Sequence, residues 1–173
     1  MRDNDAEITP RRLLDECGDA VFGLALRLAG NRPDAEDITQ QALVRALRGL
    51  SAFRGDCALK TWTYRITVNV WKNWLRDRNR HAELQEWQNP VDSIAMNEPA
   101  ATTEITDIES AVSKLPAMDR AVLTLREIDD YSYAEIARAL EIPEGTVKSR
   151  IARARDNLRK LFFTAVREES NDA

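Results

Sequence analysis

The sequence predicts an all-α protein made of two small helical domains joined by an acidic, flexible linker. Three observations lead there. Apolar residues recur at steps of three and four along most of the chain, the spacing that lines one face of an α-helix. Helix start and stop signals punctuate it at Gly30-Asn31-Arg32-Pro33, at Leu115-Pro116 and at Ser132 with Glu135. Charge is also segregated: Arg65 to Arg80 and Glu144 to Phe163 each carry a net +4, while His81 to Glu109 holds seven acids and no Lys or Arg, on a chain of net charge −4.

The first domain is assigned to residues 10–80. From Pro10 to Leu28 the apolar Leu13, Leu14, Ala20, Val21, Leu24, Ala25 and Leu28 predict one or two amphipathic helices with a break near Gly18. The next helix opens at Asp34-Ala35-Glu36-Asp37, where acids complement the helix dipole, and runs to about Leu50. Its exposed side offers Asp37, Gln40, Gln41, Arg45 and Arg48, which is either a solvated face or a docking surface for a partner protein. Ser51 to Cys57 carries turn-forming residues and reads as a structured loop. A helix from about Leu59 to Arg80 follows, with Trp62, Ile66 and Val70 assigned to the core. The remaining aromatics, interleaved with Asn69, Asn73 and the basic cluster, also suit single-stranded nucleic acid, where unstacked bases need π-faces, amide partners and neutralised phosphates.

Residues 81–101 have no sustained period and form the acidic linker, and the second domain is assigned to 102–163. Helices are predicted over Thr106 to Leu115 and over Met118 to Ile128. Ser132 to Leu140 opens with a capping box, Ser132 and Glu135 satisfying each other's amides. Pro143 cannot continue that helix but suits the start of the next, which runs from Glu144 to about Phe163 with Val147, Ile151, Ala154, Leu158 and Leu161 as its apolar stripe. A short helix, a tight turn and a longer basic helix with small residues at Ser149 and Ala152 make a helix-turn-helix able to approach a major groove. Lys148 and Arg153 can donate to guanine O6 and N7, whereas Thr146, Arg155 and Arg159 suit phosphates. The tail, 164–173, is predicted to fray.

Composition narrows the function classes. With 173 residues, 43 % hydrophobic and 31 % charged, the chain resembles an ordinary soluble protein. Met1 to Glu7 lacks the features of a signal peptide and the apolar stretch Ala20 to Ala29 is broken by Arg27, so a cytoplasmic protein without membrane insertion is expected. Cys17 and Cys57 lie far apart and His81 is the single histidine, so neither a metal site nor a Cys-His nucleophile is predicted. No Gly-rich loop with Lys-Ser/Thr and no carboxylate-His constellation occurs; the expectation is no enzyme, no cofactor and no small-molecule substrate.

Six blocks then carry a resemblance: Asp34-Ala35-Glu36-Asp37-Ile38-Thr39-Gln40, Phe53-Arg54-Gly55-Asp56, Trp62-Thr63-Tyr64-Arg65-Ile66 with Asn69, Leu115-Pro116, Tyr133-Ala134-Glu135-Ile136-Ala137 and Gly145-Thr146-Val147-Lys148-Ser149-Arg150. In this order and spacing, across about Leu13 to Phe162, the chain resembles the extracytoplasmic-function (ECF, group IV) sigma factors of the sigma-70 family, similar to sigma-E. The resemblance implies a promoter-specificity subunit of bacterial RNA polymerase. Its first domain would dock on the β′ clamp through Asp34, Glu36, Asp37, Gln40 and Arg45. The same domain would read and melt the −10 element through Phe53, Arg54, Lys60, Trp62, Tyr64, Arg65, Asn69, Asn73 and Arg76. The second would touch the β flap and read the −35 element through Thr146, Lys148, Ser149, Arg150, Ala152, Arg153 and Arg155. Gln41 and Leu43 stand where the family commonly has Glu and Phe, and Ala152 where some relatives place an aromatic. The implied partners are core RNA polymerase, promoter DNA and an anti-sigma factor. The linker is either a solvated tether or a strand whose charge follows the polymerase's nucleic-acid channel. Two rival classes are a dimeric helix-turn-helix regulator on a palindromic site and a protein-binding helical adaptor.

Overall fold

The structure, a computed structural model, describes residues 8–88 and 108–169. Its elements are α1 (Pro10–Ala29), α2 (Arg32–Gly49), a single 3₁₀ turn (Leu50–Ala52), α3 (Leu59–Gln88), α4 (Ile108–Ser113), α5 (Ala117–Glu127), α6 (Tyr133–Leu140) and α7 (Glu144–Glu169), with no strand among the described residues.

Helix α1 is continuous through Gly18. One interior glycine costs about 1 kcal/mol, and the burial of Leu13, Cys17, Val21, Leu24 and Leu28 along one face outweighs it. The Thr9 side chain accepts from the Arg12 amide at its start, and Gly30, at φ 80°, closes its end by donating to the Leu26 carbonyl at 2.8 Å. Helix α2 begins two residues before Asp34, because the Asn31 side chain caps it by accepting from the Asp34 amide at 3.0 Å. Helix α3 continues past Arg80 to Gln88, the last residue described before Ile108. Helix α7 likewise continues past Phe163 to Glu169. The first eight residues assigned to the linker therefore belong to α3; the rest of it, the start of the second domain at 102–107 and the last four residues of the tail lie outside the described residues.

Helices α1, α2 and α3 pack around Leu13, Leu24, Leu28, Ile38, Val68 and Trp71, all essentially unexposed. Helices α5, α6 and α7 pack through Val122, Leu125, Ile136, Leu140, Val147 and Ile151. The two groups also meet, α1 against α5 and α3 against α6, and share one core. Arg120 is the clasp. It is 6 % exposed, and its guanidinium donates to the carbonyls of Leu28 (3.0 Å) and Ala29 (2.9 Å) at the end of α1 and of Ser113 (2.9 Å) and Leu115 (3.0 Å) before α5. Those carbonyls sit at the negative end of a helix, where a cation is favoured. Burial, with Arg78 adding to it, still pushes the Arg120 pKa down to about 10. Arg27 to Asp129 at 3.3 Å and Lys72 to Glu141 at 2.8 Å complete the junction.

Candidate nucleic-acid interface

The helix-turn-helix forms as its signals require. Ser132 Oγ accepts from the Glu135 amide at 3.2 Å, while Glu135 Oε2 accepts from the Ser132 amide at 2.9 Å and from Ser132 Oγ at 2.7 Å. Those bonds hold the Glu135 carboxyl below its ordinary range. Glu141 turns the chain in the left-handed region at φ 58°, and α7 starts directly after Pro143. Val147, Ile151 and Ala154 are buried and Leu158 and Leu161 partly so, which leaves Lys148, Ser149, Ala152, Arg153 and Arg155 on the exposed side.

The cations of α7 are not loose. Lys148 lies 3.5 Å from Glu144 and 5.9 Å above the Tyr133 ring; Arg155 meets Glu127 at 2.5 Å. Arg153 donates through Nε to Asp119 Oδ2 at 2.7 Å and through Nη2 to Oδ1 at 2.8 Å, and Arg150 donates through Nη1 to Oδ1 at 2.9 Å. Asp119, in the first turn of α5, has no exposed side chain. Burial raises an aspartate, but the hydrogen bonds from Arg153 and Arg150 outweigh it and hold this carboxyl below its ordinary range. Thr146 is half-buried, its carbonyl accepting from Ser149 Oγ at 3.0 Å.

On the first domain the face around α3 differs in part from expectation. Phe53 and Trp62 are half-buried against each other, ring centroids 5.1 Å apart and tilted by 52°. Arg54, Lys60, Arg65, Asn69 and Arg76 are exposed, and Asn73 is half-buried, accepting from Arg76. Tyr64 is a correction: it is 6 % exposed and belongs to the core, with Lys60 Nζ 5.3 Å from its ring, so its face is not open to a base in this arrangement. The inward stripe is also displaced. Val70 is buried, but Trp62 and Ile66 are only partly so, and the stripe runs through Thr63, Thr67, Val70 and Trp71. Thr63 Oγ1 donates to the carbonyls of Leu59 (3.1 Å) and Lys60 (2.9 Å), and Thr67 Oγ1 to that of Thr63 (2.9 Å). With its hydroxyl folded back onto the helix, Thr67 presents its methyl group to the core, while the Thr63 side chain also hydrogen-bonds the buried Cys17 thiol.

On α2, Ala35, Ile38, Ala42 and Ala46 are buried, while Glu36, Asp37, Gln40 and Arg45 share the exposed side. Asp34 stands apart, accepting from Asn31 Nδ2 at 2.6 Å and from Arg78 Nη1 at 3.0 Å. That ion pair joins the start of α2 to the basic cluster of α3, which a reading of each helix alone keeps separate. Sequence reasoning also passed over Asp119, Arg120 and the Arg27–Asp129 pair; an acid two residues into a helix reads as dipole complementation, and nothing local marks its partners on α7. Cys17 is buried and Cys57 half-buried, both free, with burial raising the Cys17 thiol. Among the described residues no group of three or more His, Cys, Asp or Glu side chains could hold a metal ion, and no helix is long and apolar enough to cross a membrane.

Comparison with known proteins adds the following. Residues 13–81 match the family described as sigma-70 region 2, and residues 105–158 that described as sigma-70, region 4. The RNA polymerase sigma-H factor of Pseudomonas aeruginosa is 36 % identical over 160 residues, covering 86 % of this chain and 83 % of that one. The ECF RNA polymerase sigma-E factor of Escherichia coli is 39 % identical over 140 residues, 71 % of each chain. Among solved structures, the sigma factor RpoE in complex with the anti-sigma factor NepR from Bartonella quintana aligns at TM-score 0.65 and 26 % identity, covering 88 % of this chain and 95 % of that one. CnrH, in complex with the cytosolic domain of CnrY, aligns at TM-score 0.56 and 26 % identity over 90 % and 88 %.

Proposed function

This chain belongs to the extracytoplasmic-function sigma factors of the sigma-70 family, and from that membership we propose how the work is divided along it. It is a promoter-specificity factor: it binds core RNA polymerase and directs promoter-specific initiation, so its field of action is the cytoplasm. Residues 10–80 would serve as the core-docking and −10 domain, 81–101 as the linker and 102–163 as the −35 domain. The observation that carries the function is the succession of the two family matches, 13–81 then 105–158, on one chain. A dimeric regulator with a helix-turn-helix would have no use for a sigma-70 region 2, which disfavours that alternative.

The exposed side of α2, with Glu36, Asp37, Gln40 and Arg45, supports docking on the β′ clamp; Asp34, tied to Arg78, would act by fixing the start of α2. On α3, the outward Asn69 and the half-buried Asn73 and Trp62 beside the Phe53 loop would capture a base from the non-template strand. Arg54, Lys60, Arg65 and Arg76 would neutralise its phosphates. Lys148, Ser149, Ala152 and Arg153 of α7 would face base edges, with Thr146, Arg150 and Arg155 setting register. This division needs no catalysis by the chain itself. Binding energy offsets a few kcal/mol of unstacking per base step, and the polymerase supplies the chemistry.

The junction made by Arg120, Arg27–Asp129 and Lys72–Glu141 holds the two domains against each other, whereas reading two separated promoter elements requires them apart. The alignment of nearly the whole chain with sigma factors held by anti-sigma factors supports an anti-sigma partner for this compact arrangement. Analytical gel filtration with core RNA polymerase tests the assignment: the chain, monomeric alone, should co-elute with core, and persistent separate elution at micromolar concentration would refute it.

A further inference from the structure

We propose that Asp119 sets the specificity of −35 recognition by positioning Arg153, an inference that rests on α7 being the −35 helix. The arrangement is unusual for a DNA-facing surface. An acid with no exposed side chain lies beneath two cations of the recognition helix and accepts three hydrogen bonds, two from Arg153 and one from Arg150.

The grip on Arg153 is side-on. Asp119 engages the Nε and Nη2 edge, and a guanidinium has five N–H donors in a fixed fork, so the Nη1–Nη2 end is left to donate outward. That end matches the O6 and N7 pair of guanine. Arg153 itself remains 56 % exposed, whereas Arg150 is 28 % exposed and its Nε has no partner. Arg153 is therefore the presented group, and Arg150 completes the carboxylate's shell. An arginine free to rotate loses conformational entropy when it meets a base and can turn to a phosphate instead. One held by a buried carboxylate is fixed before the DNA arrives, so it discriminates by geometry.

The same carboxylate lowers the net charge of the trio from +2 to +1, which weakens attraction to any phosphate backbone regardless of sequence. Two opposite effects of removing it follow, and a merely structural role would not produce both. Specificity should fall while sequence-independent affinity rises.

The test uses the full chain assembled with core polymerase and duplexes in which each −35 position is changed in turn, at several salt concentrations. Asp119→Asn should lower discrimination at one guanine-bearing position about tenfold, as expected for one bidentate contact, and should tighten binding to unrelated DNA with a steeper salt dependence. Asp119→Leu, which fills the buried site without a polar group, should do the same and covers the case in which the amide folds poorly. Arg153→Ala should lose the same position, and the Asp119→Asn, Arg153→Ala pair should lose no more there than Arg153→Ala alone. If Arg153→Ala spares discrimination everywhere, Arg153 does not read bases and the −35 assignment of that residue fails. If Arg153→Ala costs discrimination and both Asp119 variants, folded, leave it intact, the assignment stands and the positioning role is overturned. Equal weakening on all sequences without a change in salt slope overturns it as well.

Discussion

A Cβ added to Gly30 would stand 2.8 Å from Cζ of Arg120. The end of the first helix and the clasp of the second domain therefore occupy one space, and Gly30 answers to both because its φ of 80° also disfavours a side chain. Gly30→Ala is expected to destabilise the chain by about 1–3 kcal/mol through strain at that backbone conformation. Urea unfolding followed by circular dichroism would read the loss, and an unchanged midpoint would contradict the close approach.

Arg120→Ala removes the guanidinium's hydrogen bonds across the junction, to Leu28 and Ala29, together with those it makes within the second domain, to Ser113 and Leu115. The loss should be on the order of 3 kcal/mol, as for bonds to a charged donor whose partners stay buried. The domains should part, seen as a larger radius of gyration by small-angle scattering, and association with core polymerase should quicken. A variant as compact as the parent would place the cohesion elsewhere.

Trp71 and Asn69 separate stability from function on one helix. Trp71 has no exposed surface, so Trp71→Ala should cost about 3–5 kcal/mol by the cavity it leaves. Asn69 is exposed and Asn73 half-buried; Asn69→Ala with Asn73→Ala should leave the unfolding midpoint nearly unchanged and impair open-complex formation. Permanganate footprinting of the −10 region would show reduced thymine reactivity while −35 binding persists. Normal reactivity would remove the base-capture role.

Acid should loosen the second domain first. Glu135 is held below its ordinary 4.5 by its bonds to Ser132, and Asp119 below its ordinary 3.8 by Arg153 and Arg150 despite burial. A depressed carboxyl contributes stability that is complete above its unfolded value and is lost as pH falls through the folded one. The unfolding midpoint should thus drop below about pH 4.5, and Glu135→Gln should flatten that dependence. Asp129 works in the opposite sense, burial raising it despite Arg27, so its share of junction stability declines as pH rises past 3.8.

Much of the second domain was legible in the sequence because its signals are local. Ser132 and Glu135 lie three residues apart, Pro143 cannot continue the helix before it and suits the start of the next, and the stripe from Val147 to Leu158 needs only a period. The order of the six blocks likewise sufficed for the family. What escaped depends on contacts distant in sequence. Thr63 and Thr67 read as polar until their hydroxyls are seen bonded to their own helix, which moves the buried face onto Trp71 and takes Tyr64 inside. Arg120 reads as a surface cation until ninety-odd residues upstream supply carbonyls for it. The contact of the two domains, and Asp119 beneath the recognition helix, are tertiary facts of the same kind.

Run-off transcription on a library of templates varying −35 and −10 sequences and spacing, with core polymerase and the purified chain, tests the central claim most directly. Transcripts should require the chain and should start from templates sharing one pair of elements at one spacing. No chain-dependent transcript from any template, or initiation indifferent to both elements, would contradict its assignment as a promoter-specificity factor.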